Sequence, residues 1–226
     1  GFLELKVAKA IPFEDEFKYF KEWLQNGFHG DMFYLQNNPE KRQNISNVLE
    51  NAKSVIVLSH PYFESDTNYR PQKLKLQGKI ARFAHGEDYH KIIKKKLQFI
   101  TQYILENYPE SLNKYYVDTG PILEKQWAVR SGIGWQGKNG IVINNNYGSY
   151  FFIGIIITTL ELTPDNSQND QCGTCTLCLD ACPTKAIVRP KIVDAKKCIS
   201  YWTIETKSQI IPEEIKKNLN NWAYGC

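Results

Sequence analysis

The sequence predicts an α+β protein in two parts, a larger domain over residues 1–165 and a smaller, cysteine-rich one over residues 166–226. Three observations carry this. Strand-like and helix-like segments mix along the first 160 or so residues without the strict alternation of a doubly wound sheet. Composition turns polar in LTPDNSQNDQ, from Leu162 to Gln171, just ahead of Cys172. Five of the six cysteines fall between Cys172 and Cys198, and the sixth is Cys226.

The elements follow in order. Pro12–Asn26 is predicted as an amphipathic helix, with Phe13, Phe17, Phe20 and Leu24 at helical spacing, acidic residues in its first turn and Gly27 as a stop. Ser54–Ser59 (SVIVLS) is a short β-branched run and predicts a buried strand. Pro61–Gly78 is polar and charged and predicts a mobile loop, and Lys79–Ala84 a further strand. Asp88–Asn107 predicts a long helix with Ile92, Ile93, Leu97, Ile100 and Ile104 on one face. Its Lys94, Lys95 and Lys96 read first as a solvated face and second, with Lys73, Lys75 and Lys79, as phosphate contacts. Tyr115–Asp118 predicts a strand ending at Asp-Thr-Gly-Pro, and Pro121 then opens a helix through Arg130. After the glycine-rich stretch Ser131–Gly140, the runs Ile141–Asn144 and Tyr150–Thr159 predict a hairpin turning at Asn145–Gly148.

Bulk properties narrow the class. At 226 residues the chain can bury a sizeable core. A net charge of +4 permits a nucleic-acid partner without requiring one. Aromatics at 13% suit either a pocket for flat ligands or a tyrosine-rich core. No segment reaches the roughly 18 apolar residues of a membrane span. Cysteines crowded at two-residue gaps argue for metal ligation in a reducing compartment, which makes the cytoplasm the expected location.

The array Cys172-Gly-Thr-Cys175-Thr-Leu-Cys178-Leu-Asp-Ala-Cys182-Pro183 is C-x₂-C-x₂-C-x₃-C-P, the bacterial-ferredoxin run. Three thiolates at two-residue gaps wrap one 4Fe–4S cubane, and the fourth, a helical turn on, serves a second. Structural zinc prefers paired C-x₂-C units separated by a longer gap and fits these gaps poorly. Two all-cysteine cubanes need eight ligands. Cys172, Cys175 and Cys178 supply three to one, and Cys182, Cys198 and Cys226 three to the other. Each is one ligand short where the sequence stops, so the natural chain is expected to continue.

The blocks around this array resemble, in order, those of the epoxyqueuosine reductase family: HGDMFYL and NPEKR between His29 and Arg42, ARFAHGEDYH (Ala81–His90), YVDTGPILEK (Tyr116–Lys125), GIGWQGKNG (Gly132–Gly140) and VDAKKCISYWTIE (Val193–Glu205). The resemblance runs along nearly the whole chain. It implies a nitroreductase-like cobalamin-binding α+β domain followed by a ferredoxin-like domain with two 4Fe–4S clusters. It implies reduction of the epoxide of epoxyqueuosine in tRNA, at the wobble position, to queuosine, with electrons from an external donor (a reductase, ferredoxin or flavodoxin). A monomer is expected.

By resemblance, Asp118 matches the family's proposed proton donor. An alkoxide leaves poorly, so an acid must protonate it, and an Asp does so near neutral pH only if burial or a hydrogen bond raises its pKa. From residues alone Asp118 is a strand-end cap. Lys41, Arg82, Tyr89, Gly134, Trp135, Lys138 and Asn139 are the implied cofactor contacts, with small residues letting the backbone approach the corrin ring. Trp135 reads equally as a core or hinge aromatic, and Lys41 and Arg42 as tRNA or solvent contacts. Neither His85 nor His90 is assigned to cobalt. Phe83, His85 and Lys185 depart from the family pattern without removing a thiol or the acid. Three other readings compete: a reductive dehalogenase-like enzyme, a ferredoxin-type electron carrier and a zinc-binding module. Corrin absorption bands would exclude the last two, and tRNA binding would separate the first from the family reading.

Overall fold

Side-chain alternation in two aliphatic runs decides the architecture. In a computed structural model describing residues 1–62 and 78–226, the chain begins with β1 (Glu4–Lys9), α1 (Asp15–Gln25), α2 (Pro39–Gln43) and β2 (Ser54–Pro61). There follow β3 (Lys79–Ile80), α3 (Tyr89–Asn107), β4 (Asn113–Tyr116), α4 (Glu124–Ser131), β5 (Trp135–Gln136), β6 (Val142–Ile143) and β7 (Phe151–Thr158). Strands β1, β2, β7 and β4 form one antiparallel sheet in that order. Val55 and Val57 of β2 and Ile155 and Ile157 of β7 point to one face, against Phe13, Phe17, Trp127 and Ala128. Ile56, Leu58 and Ile156 point to the other, against Ile93, Leu97 and Ile104 of α3. Period 2 in the strands and period 3.6 in the helix thus give a sheet buried on both faces. Gly154 lets α3 sit close, since a Cβ there would lie 3.0 Å from Leu97 Cδ2.

The chain then crosses the sheet edge, where Val7 N–H donates to Asp165 Oδ2 (2.8 Å), and enters the cysteine region. This holds α5 (Leu177–Ala181), β8 (Ile187–Arg189), β9 (Ile192–Val193), a π-helical turn over Tyr201–Glu205, α6 (Glu213–Lys216) and β10 (Trp222–Tyr224). Hydrogen bonds tie it back to the sheet region. Trp23 Nε1–H donates to Val193 O (2.7 Å) and Ala195 N–H to Phe28 O (2.8 Å). Asp31 N–H donates to Tyr201 Oη (2.9 Å), and β10 pairs in parallel with β3.

Several expectations need correcting. The predicted strand Lys79–Ala84 shrinks to β3, because Arg82–Ala84 coils into a 3₁₀ turn. The strand placed at Tyr115–Asp118 ends at Tyr116, and the helix expected from Pro121 starts at Glu124. The hairpin is also different. β6 pairs with β5 across a turn closed by Gly140 N–H donating to Gly137 O (2.9 Å), while β7 pairs with β2 and β4. The Asn145–Gly148 turn is real, with Asn144 bridged to Gly148, but it leads into the central sheet. β1 was not anticipated. The loop expected over Pro61–Gly78 lies, but for its ends, outside the described residues. Among the described residues no helix is long and apolar enough to cross a membrane.

Candidate active site and cluster region

Asp118 stands on a turn that the local sequence forces tight. Its own φ is +60°, a left-handed conformation uncommon for a residue other than glycine and frequent at functional sites. Thr119 N–H closes the turn onto Val117 O (2.7 Å), and Gly120 lies so near the Tyr116 ring that a Cβ would sit 2.5 Å from Cδ1. The result presents the Asp118 carboxylate outward, 66% exposed. Tyr89 Oη–H donates to Asp118 Oδ2 (2.9 Å), and His90 Nε2 lies 3.3 Å from the same oxygen. His90 Nδ1 is 2.9 Å from Asp88 Oδ1, so only the protonated ring donates to both carboxylates at once. Of the burial or hydrogen bonding expected around Asp118, the structure gives hydrogen bonds and no burial. Two donors hold it at the rim of an open site. Burial and the Asp118 charge push the Tyr89 phenol up, which keeps it a donor.

Beside Asp118 lie titratable residues with buried polar atoms or shifted pKa values. Arg42 is 7% exposed, with Nη1–H donating to Ile122 O (3.4 Å) and Nε buried without a partner. Glu124, at the start of α4, also has a buried oxygen, Oε1, without a partner. Burial first, then the Asp118 charge, raises its carboxyl to about 8, against the opposing pull of Arg42 and Lys125. Tyr34 is pushed up to about 12, first by burial and then by Glu205, whose Oε2 its hydroxyl approaches at 3.3 Å. Sequence patterning had not singled out Glu124 or Tyr34 as site residues. Both lie within blocks that carry the family resemblance, but spacing does not single them out there: the burial of the Glu124 oxygen is a tertiary property, and Tyr34 is half exposed and joined to Glu205 across 171 residues.

The expected cofactor contacts do not converge as one set. Tyr89 is at Asp118, and Arg82 lies over the Tyr150 ring (5.8 Å). Lys41 closes α2, next to Arg42. Trp135 holds a buried indole N–H with no partner. Gly134 is required by the hairpin, since a Cβ there would lie within about 2.1 Å of Ile143 O. Asn139 caps the hairpin turn, accepting from Ile141 N–H (3.1 Å). Lys138 reaches the cysteine loop, Nζ donating to Gly173 O (2.7 Å) and Cys175 O (2.8 Å). Unpartnered Trp135 Nε1, Arg42 Nε and Glu124 Oε1 fit a large polar ligand. A cleft of about 460 Å³ lined by Ile80, Phe83, Tyr89, His90 and Tyr224 adjoins Asp118.

All six cysteines are free thiols. Cys175 N–H donates to Cys172 O (2.9 Å), which folds Cys172–Cys178 into a loop leading to α5. Cys182, Cys198 and Cys226 form a second group. The neighbouring thiol charges of Cys198 and Cys182 add to burial in raising Cys226. Burial also acts to raise Cys182, but N–H donors prevail and lower it, Ala186 N–H reaching Sγ at 3.2 Å. A cleft of about 480 Å³ opens beside Cys226, Pro183 and Trp222. The second group, with an N–H donor on Cys182 Sγ and open space beside Cys226, fits an iron–sulfur cluster, and the first is grouped by its spacing on one short loop. Among the described residues no three His, Cys, Asp or Glu side chains converge on a single ion-sized position. Lys94 and Lys95 are exposed on α3, Lys96 is 2.5 Å from His60 Nε2, and Lys79 lies over the Trp222 ring (5.7 Å). Lys73 and Lys75 lie outside the described residues.

Two family models match the chain: "Epoxyqueuosine reductase QueG, DUF1730" over residues 42–119 and "4Fe-4S double cluster binding domain" over residues 171–226. An epoxyqueuosine reductase from Cellulophaga algicola is 42% identical over the whole chain, which spans 72% of that relative. A crystal structure of epoxyqueuosine reductase with a tRNA-Tyr epoxyqueuosine-modified stem loop superposes with a TM-score of 0.90 at 31% identity. The Bacillus subtilis epoxyqueuosine reductase, with its catalytic aspartate loop swung out of the active site, gives 0.89 at 29% identity. This chain is covered completely in both and spans 59% of each.

Proposed function

The chain belongs to the epoxyqueuosine reductase family, a family of oxidoreductases, and from that premise we propose that it reduces the epoxide of epoxyqueuosine at the wobble position of tRNA to the alkene of queuosine. The observation that carries the proposal is Asp118, displayed on a left-handed turn between Tyr89 and His90 at the rim of an open cleft. We divide the chain at residues 165 and 166 into a nitroreductase-like, cofactor-binding domain and a ferredoxin-like one, working in the cytoplasm as a monomer with an external electron donor.

Converting an epoxide to an alkene takes two electrons and two protons and releases the oxygen as water, the first proton being needed as the first C–O bond breaks. Asp118 delivers that proton as a general acid. Tyr89 Oη–H and His90 Nε2, both on its Oδ2, hold the carboxyl in place at the rim. Glu124 already carries a proton at neutral pH and adds a second acid to the site. Cobalamin, the proposed cofactor, supplies a metal-centred nucleophile and reductant that side chains cannot imitate. Trp135 Nε1, Arg42 Nε, Lys41 and Arg82 would hold it, and Lys138 and Asn139 brace its wall. Cys172, Cys175 and Cys178 hold one cluster and Cys182, Cys198 and Cys226 the other. Exposed Lys94 and Lys95 contribute to tRNA phosphate binding that weakens with salt.

The test is turnover of epoxyqueuosine-containing tRNA by anaerobic, cofactor-loaded protein. Asp118→Asn is expected to lower the rate about 10²- to 10⁴-fold with the cluster spectrum unchanged. An intact, fully loaded protein that leaves the epoxide untouched sinks the reading, and a variant as fast as the parent removes Asp118 from it.

A further inference from the structure

Two lysines from different segments grip the loop that carries the first cysteines. Lys138, in the β5–β6 turn, donates through Nζ to Gly173 O (2.7 Å) and Cys175 O (2.8 Å). Its own carbonyl accepts from Lys191 N–H (2.8 Å), where the β8–β9 hairpin turns through a left-handed residue (φ +70°). Lys191 then reaches the other end of the same loop, Nζ lying 2.7 Å from Asp170 Oδ2. Asp170 Oδ1 in turn accepts from Cys172 N–H (2.8 Å). The loop from Asp170 to Cys175 is thus clasped at both ends, and the two halves of the clasp are hydrogen-bonded to each other.

The two lysines differ electrically. The Lys191 charge is met by the Asp170 carboxylate, which that ion pair and the Cys172 N–H hold below the usual carboxylate range. The Lys138 ammonium is spent on two neutral carbonyls, so its charge stays uncompensated within the loop. It sits on the carbonyl of Cys175 itself and on that of Gly173, the residue after Cys172.

We propose that Lys138 is a positioning residue that fixes the Cys172–Cys175–Cys178 loop against the β5–β6 hairpin and raises the reduction potential of the cluster bound there. This rests on reading those three cysteines as ligands of one cluster. A cluster gains one negative charge on reduction, and a nearby uncompensated cation favours the more negative state. Lys138 lies in the turn of the short hairpin that carries Trp135, so it also sets where this cluster stands relative to that hairpin. A lysine on a two-residue turn next to glycines gives no sign of this in the sequence. The partner carbonyls lie 35 and 37 residues away.

The experiment is an anaerobic redox titration of the intact protein followed by electron paramagnetic resonance, with iron content measured in parallel. Lys138→Met and Lys138→Gln should each lower the reduced-to-oxidised ratio of one cluster at fixed potential roughly three- to tenfold, as one charge does through an effective dielectric of about 20. That is about 30–59 mV at ~59 mV per decade for one electron. The second cluster should not move, and Lys138→Arg should restore the parental value. Glutamine retains a donor without the charge, so it separates the field from the clasp. Unchanged potentials in Met and Gln variants with full iron overturn the proposal. So does iron loss in all three variants, Arg included, which would leave the lysine a strut alone. Cys175→Ser is the control on the premise: if both cluster signals survive it, the ligand reading fails, independently of anything Lys138 does.

Discussion

The sheet region and the cysteine region are held together by different forces. In the first, β2 and β7 carry aliphatic side chains on both faces, and Val55, Val57, Ile155, Ile156 and Ile157 are 0% exposed. In the second, from residue 166 on, only Ala186, Ala195, Ile199, Tyr201 and Ile215 are buried apolar residues. So small a core does not offset the entropy of ordering some sixty residues. The cysteine region instead depends on its metal and on hydrogen bonds to the sheet region through Trp23, Phe28, Asp31 and Lys138.

The largest effect should come from removing iron. Chelation is expected to unfold the cysteine region while the sheet stays folded, because thiolate–metal bonds are its main source of folding free energy. Amide hydrogen exchange resolves the two regions, and loss of protection in β2 and β7 along with the rest would erase the contrast. Next, Trp127→Ala should destabilise the sheet region by about 3–5 kcal/mol, since the ring is 1% exposed and 4.6 Å from Phe13. Urea unfolding of the iron-loaded protein measures it, and iron bound by the folded protein should be unaffected.

A smaller, pH-dependent effect belongs to Glu124. Its carboxyl is raised from 4.5 to about 8 in the fold, so the native state holds a proton that the unfolded chain has released. Stability therefore falls as pH rises from about 4.5 to about 8, and Glu124→Gln should flatten that part of the profile. Parallel slopes for parent and variant would mean that the carboxyl is not desolvated. Smallest is Tyr201→Phe, which leaves Asp31 N–H without its acceptor and should cost about 1 kcal/mol. Because that bond joins the two regions, the loss should register in the melting of the cysteine region first.

Much of the sheet region was legible because its signals are local. SVIVLS made β2, and Ile93, Leu97 and Ile104 fell on the buried face of α3 at the spacing predicted. β1 was missed because ELKVAK is weakly patterned, with Leu5 51% exposed and only Val7 and Ala8 buried. The hairpin was misassigned because a turn signal gives the place of a reversal and not the partner of the strand that follows. In the site, the cysteine spacing and Asp118 were legible as motifs, the latter through resemblance. The buried oxygen of Glu124, the Tyr34–Glu205 contact and the true neighbours of Lys138 were not, since burial and long-range hydrogen bonds leave no trace in spacing.

The place of β7 has a consequence for the order of events during synthesis. It is the last of the four sheet strands to be made, yet it lies between β2 and β4, and β4 has no other partner in that sheet. At about 5–20 residues per second from the ribosome, β1 and β2 pair early while β4 waits. The sheet closes only when Thr158 has emerged, and Cys172 follows within seconds. The nascent cysteines therefore meet a finished scaffold, with the Lys138 turn and the Trp23 anchor already set, and the metal is delivered to a chain whose sheet region serves as its template.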